Sequence, residues 1–265
     1  MNTFAAMLRV SLRQQLQYRS AMLAGMVTQC LFALIYNMVY IAYYEYNPGA
    51  VLGMTLAQAV SYAWINEACL PMMTLSGLND VEEMLRDGRI AFELTRPADL
   101  YGLWMARSVG KRLAPFFVNT PVLLLAARLM PADMRLLLEV RHLPLGVISM
   151  ALAVLVCAAI TVMMTTVCFY TVAGDGINRL LPFIATLCSG NLLPLEFYPE
   201  AVREVLRALP FAAVADAPMR ILVGAAGTGE ALCVIALQIF WLAALIALGR
   251  ALMRSGIRRC MVQGG

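Results

Sequence analysis

The chain has 265 residues, of which 62% are hydrophobic and 14% charged, with a net charge of +4 and a mean hydropathy of +0.76. Soluble domains carry roughly 45 to 50% apolar residues, so this composition excludes a globular enzyme in water and predicts an integral membrane protein. The positive excess reads as topology and contact with anionic lipid; no basic, aromatic-interleaved surface points to nucleic acid.

In chain order, residues 3–19 set Phe4, Leu8, Leu12 and Leu16 four apart, with Arg9, Arg13 and Gln17 turned away. That pattern predicts an amphipathic helix over 1–20 on the inner membrane surface, with a short soluble stalk as the alternative. Arg9, Arg13 and Arg19 precede an apolar run long enough to remain as a span, so no cleavable leader is read. A hydrocarbon core of roughly 30 Å needs about 20 apolar residues in a helix. Six runs qualify: 21–44, 52–75, 113–130, 143–173, 177–193 and 231–252. The expected fold is therefore all-α, with six transmembrane helices in one domain.

Between the first two runs lies the turn-forming Asn47-Pro48-Gly49. The second run carries Asn66 and Glu67, and an ionised carboxylate in lipid costs roughly 2.5 to 3.5 kcal/mol on insertion scales. Glu67 thus faces protein or water, either to meet cargo or to bond a neighbouring helix. With Asn37, Ser189 and Asn191, these two residues form a candidate substrate pathway.

Residues 80–100 are a polar insert. Asp80 with Glu83 predicts a capping box for a short helix reaching Arg86 or Asp87, ended by Gly88. Ile90, Phe92 and Leu94 alternate with Ala91, Glu93 and Thr95, which predicts a short extended piece before Arg96 and Pro97. Asp99 caps a further helix, LYGLWMARSVGKRLAP, leading into the third run. The insert is too polar for lipid and too short for a core of its own. Its apolar stripe either docks on a partner or rests against the helix ends as a solvated connector.

After the fifth run, residues 194–229 form a second insert. Pro199 and Glu200 open a short amphipathic helix that Pro210 stops. Phe211 to Val223 is too short to cross and contains Asp216, Pro218 and Arg220, so both pieces are expected as re-entrant or interfacial extracellular helices.

Lys and Arg bias loops toward the cytoplasm. With the amino terminus inside, the inner segments hold Arg9, Arg13, Arg19, Arg86, Arg89, Arg96, Arg107, Lys111, Arg112, Arg179, Arg250, Arg254, Arg258 and Arg259. The outer ones hold Arg128, Arg135, Arg141, Arg203, Arg207 and Arg220. Fourteen against six predicts both termini cytoplasmic.

Catalytic constellations are missing. The only lysine, Lys111, sits in VGKR without the remainder of a P-loop, and there is no HExxH or GxSxG. Cys30, Cys69, Cys157, Cys168, Cys188 and Cys233 fall in apolar runs without a CxxC, so no metal or cofactor is expected on this chain.

Two segments carry a family likeness: Gly88-Arg89-Ile90-Ala91-Phe92-Glu93-Leu94-Thr95-Arg96-Pro97 and LPLEFYPEAVREVLRALPF. With the order of elements, they resemble the permease subunits of ABC type-2 exporters, and in particular a small bacterial branch. The resemblance implies a permease of the bacterial cytoplasmic membrane, paired with an identical or homologous permease. Two separate ATPase subunits would hold the ATP and Mg, and an amphipathic substrate would be exported. It implies that Glu83, Arg86, Asp87, Arg89, Ile90, Phe92, Glu93 and Arg96 meet the ATPases, with the loop at Gly174 to Arg179 as a smaller contact. The alternatives are a secondary transporter or channel working alone, which would favour coupling carboxylates or inverted repeats, and a non-transporting anchor or assembly subunit.

Overall fold

The computed structural model describes residues 9–10, 19–47, 53–94, 99–170 and 175–263, and among them every regular element is helical. Nearly all of the expected amphipathic helix at the amino terminus, Arg96 and Gly174 lie outside these residues, and the rest of the expected loop at Gly174 to Arg179 is the first turn of a helix that starts at Asp175.

Helix α1 (Arg19–Tyr46) leads to α2 (Leu56–Met73), whose start is a capping box in which Thr55 Oγ1 accepts from Gln58 N–H at 3.3 Å and Gln58 Oε1 accepts from Thr55 N–H at 2.8 Å. The polar insert forms α3 (Asn79–Arg86) and a single turn, α4 (Ala91–Leu94). Next come α5 (Leu100–Arg128), α6 (Leu143–Val167) and α7 (Asp175–Cys188). Two short helices, α8 (Glu200–Ala208) and α9 (Asp216–Leu222), precede the long α10 (Thr228–Gln263).

By length and apolar content, three segments among the described residues suffice to cross a membrane: Leu23–Tyr46, Val140–Val167 and Thr228–Arg258. The other expected crossings are less clear-cut for physical reasons. Helix α2 has 18 residues and carries Glu67, α5 holds Arg107, Lys111 and Arg112, and α7 has only 14 residues. At 1.5 Å per residue, α7 covers about 21 Å, less than the roughly 30 Å core.

The core is organised around α6, which packs on α10, α9, α5 and α2, while α2 also lies against α1. Its Ala153, Cys157, Ala158 and Ala159 are buried, and such small side chains let neighbouring helices approach closely. In the expected 143–173 run, helix α6 stops at Val167, and Cys168 to Tyr170 close as tight turns. The helix after Asp99 and the third run are one element: α5 runs for 29 residues, through Pro115 and Pro121. The sixth run likewise belongs to a longer, 36-residue helix.

The insert departs from expectation in two places. Leu78, not Asp80, stands at the N-cap of α3, and Val81 and Glu82 N–H donate to its carbonyl at 2.8 and 2.9 Å. Asp80 and Glu82 act in the first turn instead, where the helix dipole favours acids. The extended piece over 90–94 is a helical turn. Gly88 takes φ +73°, a left-handed conformation open to glycine, so that Ile90 N–H reaches Met84 O at 3.0 Å. Leu94 N–H then bonds Ile90 O at 3.0 Å. With no neighbouring strand to accept a ladder, local bonds win.

Candidate functional site

Three polar regions stand out against the apolar bundle. The first is the α3–α4 insert, which builds a small core with the rest of the chain. Leu78, Val81 and Ile90 pack with Tyr101 and Trp104 of α5, Val162 of α6 and Met253 of α10. Trp104 also stacks on Phe169 at 5.9 Å between ring centres. Glu93 points inward: its carboxylate accepts from Arg107 at 2.8 Å and from Trp104 Nε1 at 3.2 Å. Arg107 continues to Asp80 at 3.5 Å, so one guanidinium fastens both pieces of the insert to α5.

Asp99 and Arg250 meet at 3.3 Å, joining the start of α5 to α10, with the guanidinium 5.5 Å above the Tyr101 ring.

The expected docking set is thereby divided. Ile90 and Glu93 hold the insert in place, whereas Glu83, Asp87, Arg89 and Phe92 are exposed. Arg89 lies 2.8 Å from Asp87 and 3.5 Å from Glu83, a surface cluster of mixed sign. The Arg86 side chain and all of Arg96 lie outside the described residues.

The second region holds the residues expected to form a substrate pathway, and that set also divides. Asn66 Nδ2 donates to Asn191 O at 2.8 Å and to Asn191 Oδ1 at 2.9 Å. One turn away, Tyr62 O–H donates to Gly190 O at 2.8 Å, and Ser189 O accepts from Asp216 N–H at 2.8 Å. Gly190, at φ +83°, has no room for a side chain, since a Cβ would stand 2.8 Å from Tyr62 Oη. Asn66, Ser189 and Asn191 thus belong to a tie between α2, the end of α7 and α9.

Glu67 and Asn37 are different. Glu67 is buried and makes no hydrogen bond or ion pair among the described residues, with Tyr36 and Tyr40 of α1 within its electrostatic reach. Asn37 is fully buried, and neither of its amide atoms has a hydrogen-bond partner.

The third region is an ion network in the second insert that the sequence reading missed. Glu196, 4% exposed, receives Arg203 at 3.2 Å, Arg220 Nε at 3.2 Å and Arg207. Arg207 and Arg220 also approach Asp216 at 3.7 and 3.6 Å, and Arg220 pairs with Glu230 at the start of α10. Three acids and three arginines balance there. Burial pushes the Asp216 carboxyl up to about 6, opposed by Arg220 and Arg207. The i,i+4 spacing of Asp216 and Arg220 inside an apolar piece was the available signal.

Two further buried polar groups were also missed. Arg112 donates to Thr161 Oγ1 at 2.6 Å, Ser108 Oγ at 2.9 Å, Cys157 Sγ at 3.3 Å and Thr74 O at 3.3 Å, all uncharged acceptors. Gln238 of α10 bonds both Ser149 of α6 and Ala213 O.

Among the described residues no group of three or more His, Cys, Asp or Glu is placed to hold a metal ion. The model of the family described as "ABC-2 family transporter protein" matches residues 28–264. No curated protein matches the chain.

Proposed function

Because the chain belongs to the ABC-2 family of transporter proteins, we propose that it is the multi-pass permease of an ATP-binding cassette exporter of the bacterial cytoplasmic membrane. Two separate ATPase subunits supply ATP and Mg, and the chain itself carries no catalytic groups. In this reading α1, α2, α5, α6, α7 and α10 are the six spans, both termini are cytoplasmic, and α8 and α9 form the outer cap.

The observation that carries the proposal is the construction of the α3–α4 insert. Glu93 and Asp80 clamp it to Arg107 on α5, while Glu83, Asp87, Arg89 and Phe92 are presented outward. A partner pressing on that surface moves α5 with it, which suits transmission of ATP-driven closure. A second permease is supported by α7, which packs sparsely on the rest of the chain and exposes Leu180 and Phe183. Asn37 and Glu67 offer unpaired polar groups within the bundle, which suits a hydrophobic or amphipathic cargo bearing a cation or hydrogen-bond donors.

The test is charge reversal on the docking surface. Glu83→Lys and Arg89→Glu are expected to cut co-purification of the ATPase subunit and ATP turnover of the complex while the permease yield stays normal. Unchanged complex yield in both variants would remove the docking assignment.

A further inference from the structure

We propose that the groove between α2, α5 and α6 binds a single membrane phospholipid, with one acyl chain along the groove and its phosphate held by Arg128, Arg135 and Arg141. The groove encloses about 470 Å³. Its walls are apolar side chains such as Met72 of α2, Leu113, Phe116 and Leu124 of α5, and Val147 and Met150 of α6. Thr120 brings the only hydroxyl, and that O–H already donates to Ala68 O at 2.7 Å. A polar cargo would find nothing to bond there, whereas an alkyl chain loses nothing.

The shape selects a chain. Along α5 the lining runs from Val109 to Leu124, about 22 Å at 1.5 Å per residue, the reach of an extended fatty acyl group. The groove opens sideways through Leu143 and Val147, whose side chains are 41% and 59% exposed and face the hydrocarbon of a membrane-embedded chain. Near the lining positions Val109, Val154 and Met72, Arg112 donates to Cys157 Sγ and Thr74 O, which ties α5, α6 and the end of α2 together.

One end is cationic. Arg128 follows Leu124 by four residues and so continues the same face of α5. Arg135 and Arg141 lie in the connection that also supplies the lining residue Leu138. All three arginines are exposed and none makes an ion pair among the described residues, whereas the nearby Glu139 faces His142 at 3.4 Å. Guanidinium groups bind phosphate oxygens by charge-assisted, often bidentate bonds. Cations above an apolar slot match a phosphate ester on an acyl chain, and a second copy of this chain would have to enter a narrow concave channel.

The experiment uses the full-length protein purified in detergent with its partner subunits. Phosphatidylglycerol and a diacylglycerol with the same chains serve as probes, and retained lipid is read by native mass spectrometry after extended detergent washing. The unaltered protein is expected to keep a single phosphatidylglycerol. Filling the groove with Val147→Trp and Ala151→Trp is expected to abolish retention of both probes. Replacing the three arginines by Gln is expected to reduce phosphatidylglycerol retention by about ten-fold or more while diacylglycerol retention stays the same. Retention unaffected by filling overturns the site. Retention that depends on filling but not on the arginines overturns the phosphate assignment. Loss of a second permease rather than of lipid on filling makes the groove a protein interface. The arginines are on the surface, so that variant keeps the test decisive even where the tryptophans prevent folding.

Discussion

Glu196 gathers three guanidinium groups in a site almost closed to water, and its worth lies in what its removal would leave behind. Glu196→Gln takes the carboxylate from Arg203 and leaves Arg207 with Asp216 and Arg220 with Asp216 and Glu230, and breaking a buried ion cluster in this way costs about 3 to 5 kcal/mol. A clear fall in the thermal unfolding midpoint in detergent is expected, with a much smaller fall for the exposed Glu200→Gln; equal effects would refute the cluster's role. Glu67 makes the opposite case, a carboxylate with no ion pair among the described residues. Glu67→Gln is expected to leave stability nearly unchanged and to lower transport of cationic cargo more than of neutral cargo, read as substrate-stimulated ATP turnover of the reconstituted complex. Equal losses for both cargoes would make Glu67 structural. The oddity of a charge at 67, 216 or 220 was legible in the residues. Which partner each would find was not, because Asn66 meets Asn191 and Glu196 meets Arg220 only after the chain has folded back.

At the scale of elements, the insert shows how local chemistry and tertiary contacts share the outcome. Gly88 was readable as a helix stop, and it is one, with φ +73°. The alternation from Ile90 to Leu94 suggested period two, but a strand needs a neighbour and a turn does not, so Ile90 went inward and Phe92 outward. Tertiary contacts also shape α5. It runs through Pro115 and Pro121, because helix interiors packed in a bundle tolerate proline when neighbours and side chains take up the freed carbonyls. Arg107 is the joint of the insert, and Arg107→Met removes its contacts to both Glu93 and Asp80. That change is expected to loosen 79–94, seen as faster amide hydrogen exchange there, and to weaken ATPase association without altering exchange in α10. Unaltered exchange in the insert would show that its apolar core alone holds it.

The whole molecule hangs on α6, and its link to α10 includes one polar clasp, Gln238 with Ser149 and Ala213. Gln238→Leu leaves the Ser149 hydroxyl donor and the Ala213 carbonyl acceptor without this partner and is expected to cost about 1 to 3 kcal/mol, measured as a lower unfolding midpoint of the purified protein; an unchanged midpoint would mean that apolar packing alone joins the two helices. The overall class, all-helical and lipid-embedded, was written in composition, and the order of elements in the apolar runs. That α5 stays helical through both prolines was not, since packing decides whether a proline-bearing stretch continues as a helix. Its continuity has a mechanical consequence. From Leu100 to Arg128 the helix is an arm of about 42 Å, clamped to the insert at Arg107 and carrying Arg128 at its far tip. A swing of about 5° about the clamp displaces that tip by about 3 Å, on the geometry of a straight rod. The prolines at 115 and 121 put the arm's most yielding stretch between the two ends, where stiffness determines how much of a push at Arg107 arrives at Arg128.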